Sequence, residues 1–299
     1  MNCALIGSTK IAKIHIRELI KNKIKNFYLI SRTKKKSKLF MESIEQKKNL
    51  NINNSNHNIF KKKNFNLIDI CSNSNFHVKH LLNIPKQKTK ILVEKPIITL
   101  SRNFNSKLEL DKLYLIHKNI FVSYPMFYLG KAFKKKFNFK NKNLKKIDIY
   151  YQTRGNHNYR EIFIDLAPHA FALIFSLIGI KKNIKLLVDK INLSRKKFEC
   201  KGKINKTIFN IRFYQMPKKN NSIFKFIVND KKVRRVTKIK NGNFNNYLIM
   251  KNIIKFIKNP MSEVINQYLK KEYKQIYENN KKLTYLITQV TQKIYDKSF

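Results

Sequence analysis

The spacing of apolar and polar residues changes rhythm once along the chain, near residue 123. Before that point, short apolar runs recur: NCALIG (2–7), FYLIS (27–31), NLIDIC (66–71), KILVE (90–94) and IFVSY (120–124). Between them, apolar residues return at helical spacing, first at Ile11, Ile14, Leu19 and Ile20, then over 77–82 and 106–118. Runs this short read as buried strands, and strands alternating with helices predict βαβ units around a parallel sheet. Residues 33–63 are rich in Lys, Asn and Ser and weakly patterned, so a helix followed by an irregular polar loop is expected there.

Beyond residue 123, IDIYYQT (147–153) alternates as a half-exposed strand does, and 161–179 has a helical period. Strand-like runs follow at 184–193, 198–204, 207–215 and 222–230, with turn signals at Asp230-Lys231 and Asn241-Gly242. The segments 245–258 and 262–296 read as helical by period. The fold class expected is α/β: an N-terminal Rossmann-type parallel sheet, then an α+β domain with an open mixed or antiparallel sheet. The boundary falls at 122/123, giving a domain of residues 1–122 and another of 123–299 with no Pro/Gly linker between them.

Composition narrows the class. A chain of 299 residues can bury two cores, and 42% hydrophobic with 12% aromatic residues argues against wholesale disorder. The formal net charge of +48 invites a nucleic-acid or membrane-surface reading. Only 9 of the 65 basic residues are Arg, however, and they are spread along the whole length beside abundant Asn, Ile, Phe and Tyr. AT-rich codon usage accounts for that set better than a specific nucleic-acid partner does. Cys3, Cys71 and Cys200 are far apart and form no C-x-x-C, so neither a disulfide framework nor a metal site is expected. The opening MNCALIGSTK reads as a strand entering a loop, and the longest apolar run, 170–180, is shorter than the roughly 20 residues a bilayer needs. A cytoplasmic protein with no membrane partner is expected.

Four segments carry candidate chemistry. Gly7-Ser8-Thr9-Lys10-Ile11-Ala12 follows a strand and opens a helix, the arrangement that lets backbone approach a pyrophosphate at a helix N-terminus. Gly7 supplies the turn and Ala12 permits close helix–strand packing, but Thr9 stands where that pattern has its second glycine. An ordinary strand-turn-helix reads as well on this segment alone. At the end of the second strand, Ser31-Arg32-Thr33 replaces the acidic residue of an NAD site, and a guanidinium with flanking hydroxyls suits a 2′-phosphate, favouring NADP(H) over NAD. Glu94-Lys95-Pro96 ends another strand at the ligand-binding edge of such a sheet; a solvated surface lysine is the alternative. In Asp165-Leu166-Ala167-Pro168-His169, a helix covering Asp165 puts carboxylate and imidazole one turn apart. A helix beginning at Pro168 instead puts His169 in the first turn, where the dipole favours the neutral ring. A core histidine satisfied by an acid also fits.

In this order the segments resemble the glucose–fructose oxidoreductase/inositol dehydrogenase family, Gfo/Idh/MocA. ALIGSTKIAKIH, DICSNSNFHVKHLL, ILVEKPIITL, FVSYPMFYLGKAFKK and DLAPHAFALIFSLIG carry the resemblance, from residue 2 to about 180. It implies a nicotinamide-dependent oxidoreductase acting on a carbonyl or alcohol of a small, sugar-like substrate, and a homo-oligomer, dimer or tetramer. By motif match Lys95 orients or protonates the substrate oxygen, His169 is the general acid/base and Asp165 assists. Ser72, His77 and Glu94 fall beside the cofactor. Thr9, Asn73 in place of a common proline, Glu161-Ile162 and Ala172 depart from the family pattern. Thr9 therefore keeps open a catalytically degenerate member that serves as a binding or regulatory subunit. The stretch 134–146, KKKFNFKNKNLKK, interleaves aromatics with lysines and is the local case for a nucleic-acid binder.

Overall fold

All five apolar runs of the N-terminal part are strands of one sheet. The computed structural model describes every residue except 45–49, 87–88, 182, 218–221, 241–242 and 271–273. The sheet contains β1 (Asn2–Ile6), β2 (Asn26–Ile30), β3 (Asn51–Ser55), β4 (Leu67–Ile70), β5 (Lys90–Glu94) and β6 (Ile120–Ser123). Their order is β3-β2-β1-β4-β5-β6 and every pair is parallel. The direction of strand addition reverses between β1 and β4, which opens a crevice at the C-terminal ends of those strands. Ile6 lies beside both Ile30 and Ile70, so β1, β2 and β4 end level there.

The helices α1 (Lys10–Lys21), α2 (Lys34–Glu42), α3 (Ile59–Lys62), α4 (His77–Asn83) and α5 (Ser106–Ile116) connect these strands. In α1 the buried positions Ala12, His15, Ile16 and Leu19 recur every three or four residues, which makes one apolar stripe with a histidine in it. The polar stretch 33–63 departs from expectation: where an irregular loop was expected, β3 pairs with β2 at the sheet edge. An edge strand reading NINNS buries so little that no period-2 pattern marks it.

By packing, the chain divides into two units. The first comprises Met1–Thr99, Asn105–Ser123 and Val264–Thr284; the second comprises Leu100–Phe104, Tyr124–Glu263 and Tyr285–Phe299. A late segment thus returns to the first unit, for reasons visible at the sheet. β6 is an edge strand, and the Asn280 amide acts as its missing neighbour. Asn280 Nδ2 donates to Val122 O at 2.9 Å, and Val122 N donates to Asn280 Oδ1 at 2.7 Å. The Tyr268 hydroxyl, fully buried, donates to the carbonyls of Ile68 and Lys90. Edge backbone and interior carbonyls are both satisfied by side chains from the C-terminal helices α8 (Pro260–Leu269) and α9 (Lys274–Ser298).

The second unit holds α6 (Pro125–Lys136), β7 (Lys146–Arg154) and α7 (Tyr159–Ile178). It continues with β8 (Leu186–Ser194), β9 (Lys197–Ile204), β10 (Thr207–Met216) and β11 (Ile223–Val228), then β12 (Lys231–Lys240), β13 (Asn243–Met250) and β14 (Ile253–Ile257). The eight strands run β14-β13-β12-β11-β7-β10-β9-β8, with β7 and β10 parallel and the other pairs antiparallel, so the sheet is mixed. The turn at Asp230 is present, with Asn229 at φ 53°; the Asn241-Gly242 signal lies outside the described residues.

Residues 245–258 are not helical. They form most of β13 together with β14, paired as a hairpin with Met250 opposite Ile253. YLIMKNIIKFI clusters apolar residues closely enough to fit either period, and pairing to β12 decides for strand. As far as Ile178, the apolar run at 170–180 is part of a longer helix. It belongs to α7, whose 20 residues are long and apolar enough to cross a membrane by length and composition. Thirteen of those side chains are buried within the protein instead, including Phe163 against Phe198 and Phe171 against Phe209. A helix apolar on all sides needs such cover.

Asn280→Leu strips Val122 of both partners in a buried place. Urea denaturation is expected to show a loss of about 1–3 kcal/mol; an unchanged midpoint would mean that the β6 edge is satisfied by water.

Candidate active site

The loop after β1 is built around backbone that admits no side chain. Gly7 has φ +106°, and a Cβ there would stand 2.7 Å from Ser72 N and 2.9 Å from the Cys71 carbonyl carbon. Both the positive φ and the approach of the β4 loop require glycine. Thr9 does not block this loop. Its backbone is extended (φ −91°, ψ 170°), and its hydroxyl donates to Cys71 O at 2.8 Å while accepting from Ala12 N. The side chain is therefore the N-cap of α1 and a tie to β4. Ser8 precedes this cap, Lys10 and Ile11 open the first turn, and the helix dipole there favours an anion.

Level with this loop, Ser31 Oγ lies 3.4 Å from Ser8 Oγ, and Thr33 caps α2 by accepting from Lys36 N. Arg32 is exposed between them. A depression beside α2, lined by Lys34, Lys35, Lys38, Met41, Glu42 and Asn54, adds three cations to the same edge.

Beneath these loops lies a group of side chains that the sequence reading missed. His15 of α1 is fully buried, with Nδ1 3.0 Å from Asp69 Oδ2 and Nε2 3.0 Å from Glu94 Oε1. Cys71 Sγ sits 3.2 Å from the same Nδ1 and 3.3 Å from Asp69 Oδ1. Burial alone would disfavour a charged ring, but Asp69 and Cys71 override it and raise the His15 pKa well above its usual value. Glu94 is opposed by burial in the same way, yet the His15 hydrogen bond brings its carboxyl down to about 2, with Lys95 and Ser123 helping. The arrangement is an imidazolium held between two carboxylates, each on a different strand. The available signal was Asp69, a charge in the middle of the otherwise apolar LIDIC strand, where a partner is obligatory.

The network aims Glu94 inward, which leaves Lys95 at the tip of β5, partly exposed and joined to Pro96 by a cis peptide. His77 braces this tip. Its Nδ1 is 2.8 Å from Pro96 O and its Nε2 3.0 Å from Ser72 O. Burial lowers the pKa of this ring, while the two carbonyls pull it back. His77 is thus a strut between the β4 and β5 loops, and Ser72 is tied to it through its carbonyl. In the first unit Gly7, Ser8, Thr9, Lys10, Ile11, Ala12, Ser31, Arg32, Thr33, Ser72, His77, Glu94 and Lys95 are consequently gathered at the C-terminal edge of one sheet.

In the second unit, α7 begins at Tyr159 with a reciprocal cap between Asn158 and Glu161. The helix therefore covers Asp165, with Pro168 in its interior, and the alternative start at Pro168 does not occur. Asp165 and His169 lie one turn apart on one face, the first exposed and the second partly buried. The His169 ring meets Tyr151 of β7 edge-on, with centroids 6.3 Å apart.

Residues 1–114 match the model of an oxidoreductase family with an NAD-binding Rossmann fold, the Gfo/Idh/MocA family. Solved structures extend the likeness along the chain. A dehydrogenase from Clostridium difficile superposes with a TM-score of 0.68 at 12% identity, covering 99% of each chain. A Gfo/Idh/MocA family oxidoreductase from Vibrio cholerae gives 0.65 at 11%, again over 99% of both. Biliverdin reductase from Synechocystis, solved with biliverdin and NADP+, gives 0.64 at 9% identity, covering 97% of this chain and 98% of that one. No curated protein sequence matches. Residues 1–114 are thus similar to the NAD-binding Rossmann segment of that family, and the chain as a whole has the fold of these structures.

The buried network sets a pH window. The raised His15 pKa contributes stability that is complete below about 6.5 and is lost as pH rises through the folded value. The lowered Glu94 pKa contributes stability that is complete above about 4.5 and is lost as pH falls through about 2. His15→Leu, which takes the shared cation from two buried carboxylates, is expected to cost about 3–5 kcal/mol. In urea titrations the gap from wild type is expected to be widest between those two pH values. A gap that does not vary with pH would show that His15 is uncharged.

Proposed function

We propose that this Gfo/Idh/MocA-type chain is an NADP(H)-dependent oxidoreductase that transfers hydride to or from a carbonyl or alcohol carbon of a small polar, sugar-like substrate. The observation that carries it is the loop at Gly7: backbone closed against Ser72, with Thr9 folded back as an N-cap, leaves the first turn of α1 clear for a pyrophosphate. That conformation supports a working nucleotide loop over a catalytically degenerate binding or regulatory subunit. The lysine-rich stretch 134–146 is taken up by the end of α6, a short 3-10 turn and the start of β7.

The groups divide the work by position. Gly7 and Ser8 with the N–H groups of Thr9 to Ile11 hold the pyrophosphate, and the small Ala12 lets α1 approach; Ser31, Arg32 and Thr33 hold the adenosine ribose and its 2′-phosphate through charge-assisted bonds. When bound, the nicotinamide supplies or accepts the hydride. Lys95, aimed by the inward anchoring of Glu94 and by the His77 strut, orients the substrate oxygen and carries positive charge to it. His169 is the proton-exchanging residue, and Asp165, one turn earlier on α7, positions the substrate or assists.

Titration with NADPH and NADH is expected to show saturable binding, tighter for NADPH. Arg32→Glu should weaken NADPH about tenfold or more and leave NADH nearly unchanged. No binding of either nucleotide at millimolar concentration would sink the reading. With turnover established on a panel of sugars, sugar acids, nucleotide sugars and cyclitols, Lys95→Ala and His169→Ala should each lower kcat about 100-fold or more. Undiminished turnover in both would place the chemistry elsewhere.

A further inference from the structure

The inner face of the second unit's sheet, the side on which α7 packs, is apolar along β11 to β13: Phe226, Val233 and Leu248 are each fully buried. Arg235 interrupts it. It is two residues from Val233 on β12 and opposite Leu248 on β13, so its side chain leaves on the same face. One step beyond the Lys225–Arg234 pair, it is level with Phe224 of β11, which is opposite Tyr151 of β7. Tyr151 in turn touches Phe224, at 5.3 Å between ring centroids, and His169, at 6.3 Å. Arg235, Phe224 and Tyr151 thus form a row across three neighbouring strands that ends at the proposed acid/base.

The guanidinium in this row is fixed but not neutralised. Nε and Nη2 both donate to Asn246 Oδ1, at 3.1 and 2.7 Å, and Thr237 Oγ1 donates to the same oxygen at 2.9 Å. Asn246 is fully buried and holds its orientation by donating from Nδ2 to Phe244 O. Three donors on one amide oxygen clamp the side-on edge of the guanidinium without supplying charge. Among the described residues no carboxylate pairs with Arg235. Burial lowers its pKa, and a cation held on an apolar face with a neutral partner costs free energy that an anion would recover. Arg234, the next residue, is exposed on the opposite face and has water instead. The remaining end-on edge of Arg235, with N–H groups of Nη1 and Nη2, matches two oxygens of one carboxylate or phosphate.

We propose that Arg235 binds an anionic group of the substrate, a carboxylate or a phosphate, and so sets the substrate class. This rests on the reading of His169 as the proton-transferring residue. β7 and β12 are separated by two strand spacings, about 10 Å, so the anionic group is several bonds from the carbon that reacts. Tyr151 and Phe224 line the path between them and suit the body of a polar ring or chain.

The test uses the full chain saturated with NADPH in 150 mM salt, with arginine labelled for NMR. Nine arginines give a readable set of Nε–H signals, and Arg235→Lys identifies the one that matters. Inorganic phosphate, glucuronate and glucose are the probes. The Arg235 signal is expected to shift and saturate with phosphate or glucuronate at concentrations at least tenfold below those that move Arg234, and to ignore glucose. Phosphate without glucuronate would assign phosphorylated substrates; glucuronate without phosphate would assign carboxylates. Calorimetry should then show the selected anion lost in Arg235→Gln and retained in Arg234→Gln, which removes the same charge from the other face. An Arg235 signal that moves only in step with Arg234, or equal losses in the two variants, would reduce the effect to net charge and overturn the proposal. NADPH binding with no Arg235-selective shift defeats the anion site alone. A selective shift without NADPH binding defeats the oxidoreductase reading and leaves the anion site standing.

Discussion

The contact on which the first unit depends is His15 between Asp69 and Glu94. One imidazolium joins the first helix to the ends of two strands, and each of those three elements leads into a loop of the candidate site. Helix α1 starts at the loop after Gly7, β4 leads through Cys71 to Ser72, and β5 leads into Lys95. Because a buried ion pair tolerates little displacement before desolvation outweighs attraction, it sets these loops relative to one another more sharply than apolar packing would. His77, bridging Ser72 O and Pro96 O, and Thr9, bridging to Cys71 O, repeat the connection nearer the surface.

The distribution of charge gives that arrangement its weight. With 65 basic residues against 17 acidic ones, a carboxylate is scarce, and two of the seventeen are placed in the core beneath the loops. Most lysines are solvated and repel one another, which ordinary salt screens over about 8–10 Å. Positive charge acquires meaning where the fold limits water and supplies no carboxylate among the described residues, as on the inner face at Arg235, or gathers it beside a loop, as around Arg32 and Lys34.

The second unit solves a different problem. Its sheet needs a cover, and α7 supplies one that is apolar on nearly every side except where Asp165 and His169 emerge. Its interior proline is tolerated because tertiary packing, not helix propensity, holds this segment. The polar pair is thus mounted on a helix whose other residues are largely buried, with Tyr151 against the ring.

Sequence alone determined the alternation of strands and helices in the first unit, the glycine turn, the Glu94-Lys95-Pro96 edge and the spacing of Asp165 from His169. These are local: period, turn chemistry and one-turn offsets are written in neighbouring residues. Tertiary structure decided what depends on distant partners. Strand β3 exists because β2 offers an edge, and residues 245–258 are strands because β12 is there to pair with them. Asn280 returns to the first unit to satisfy Val122, 158 residues earlier. Thr9, a defect by motif, is an N-cap because Cys71 O lies within reach of its hydroxyl. The roles of His15 and Arg235 were not legible, since a charged residue's role is fixed by which groups surround it after folding, and that is not encoded in its neighbours along the chain.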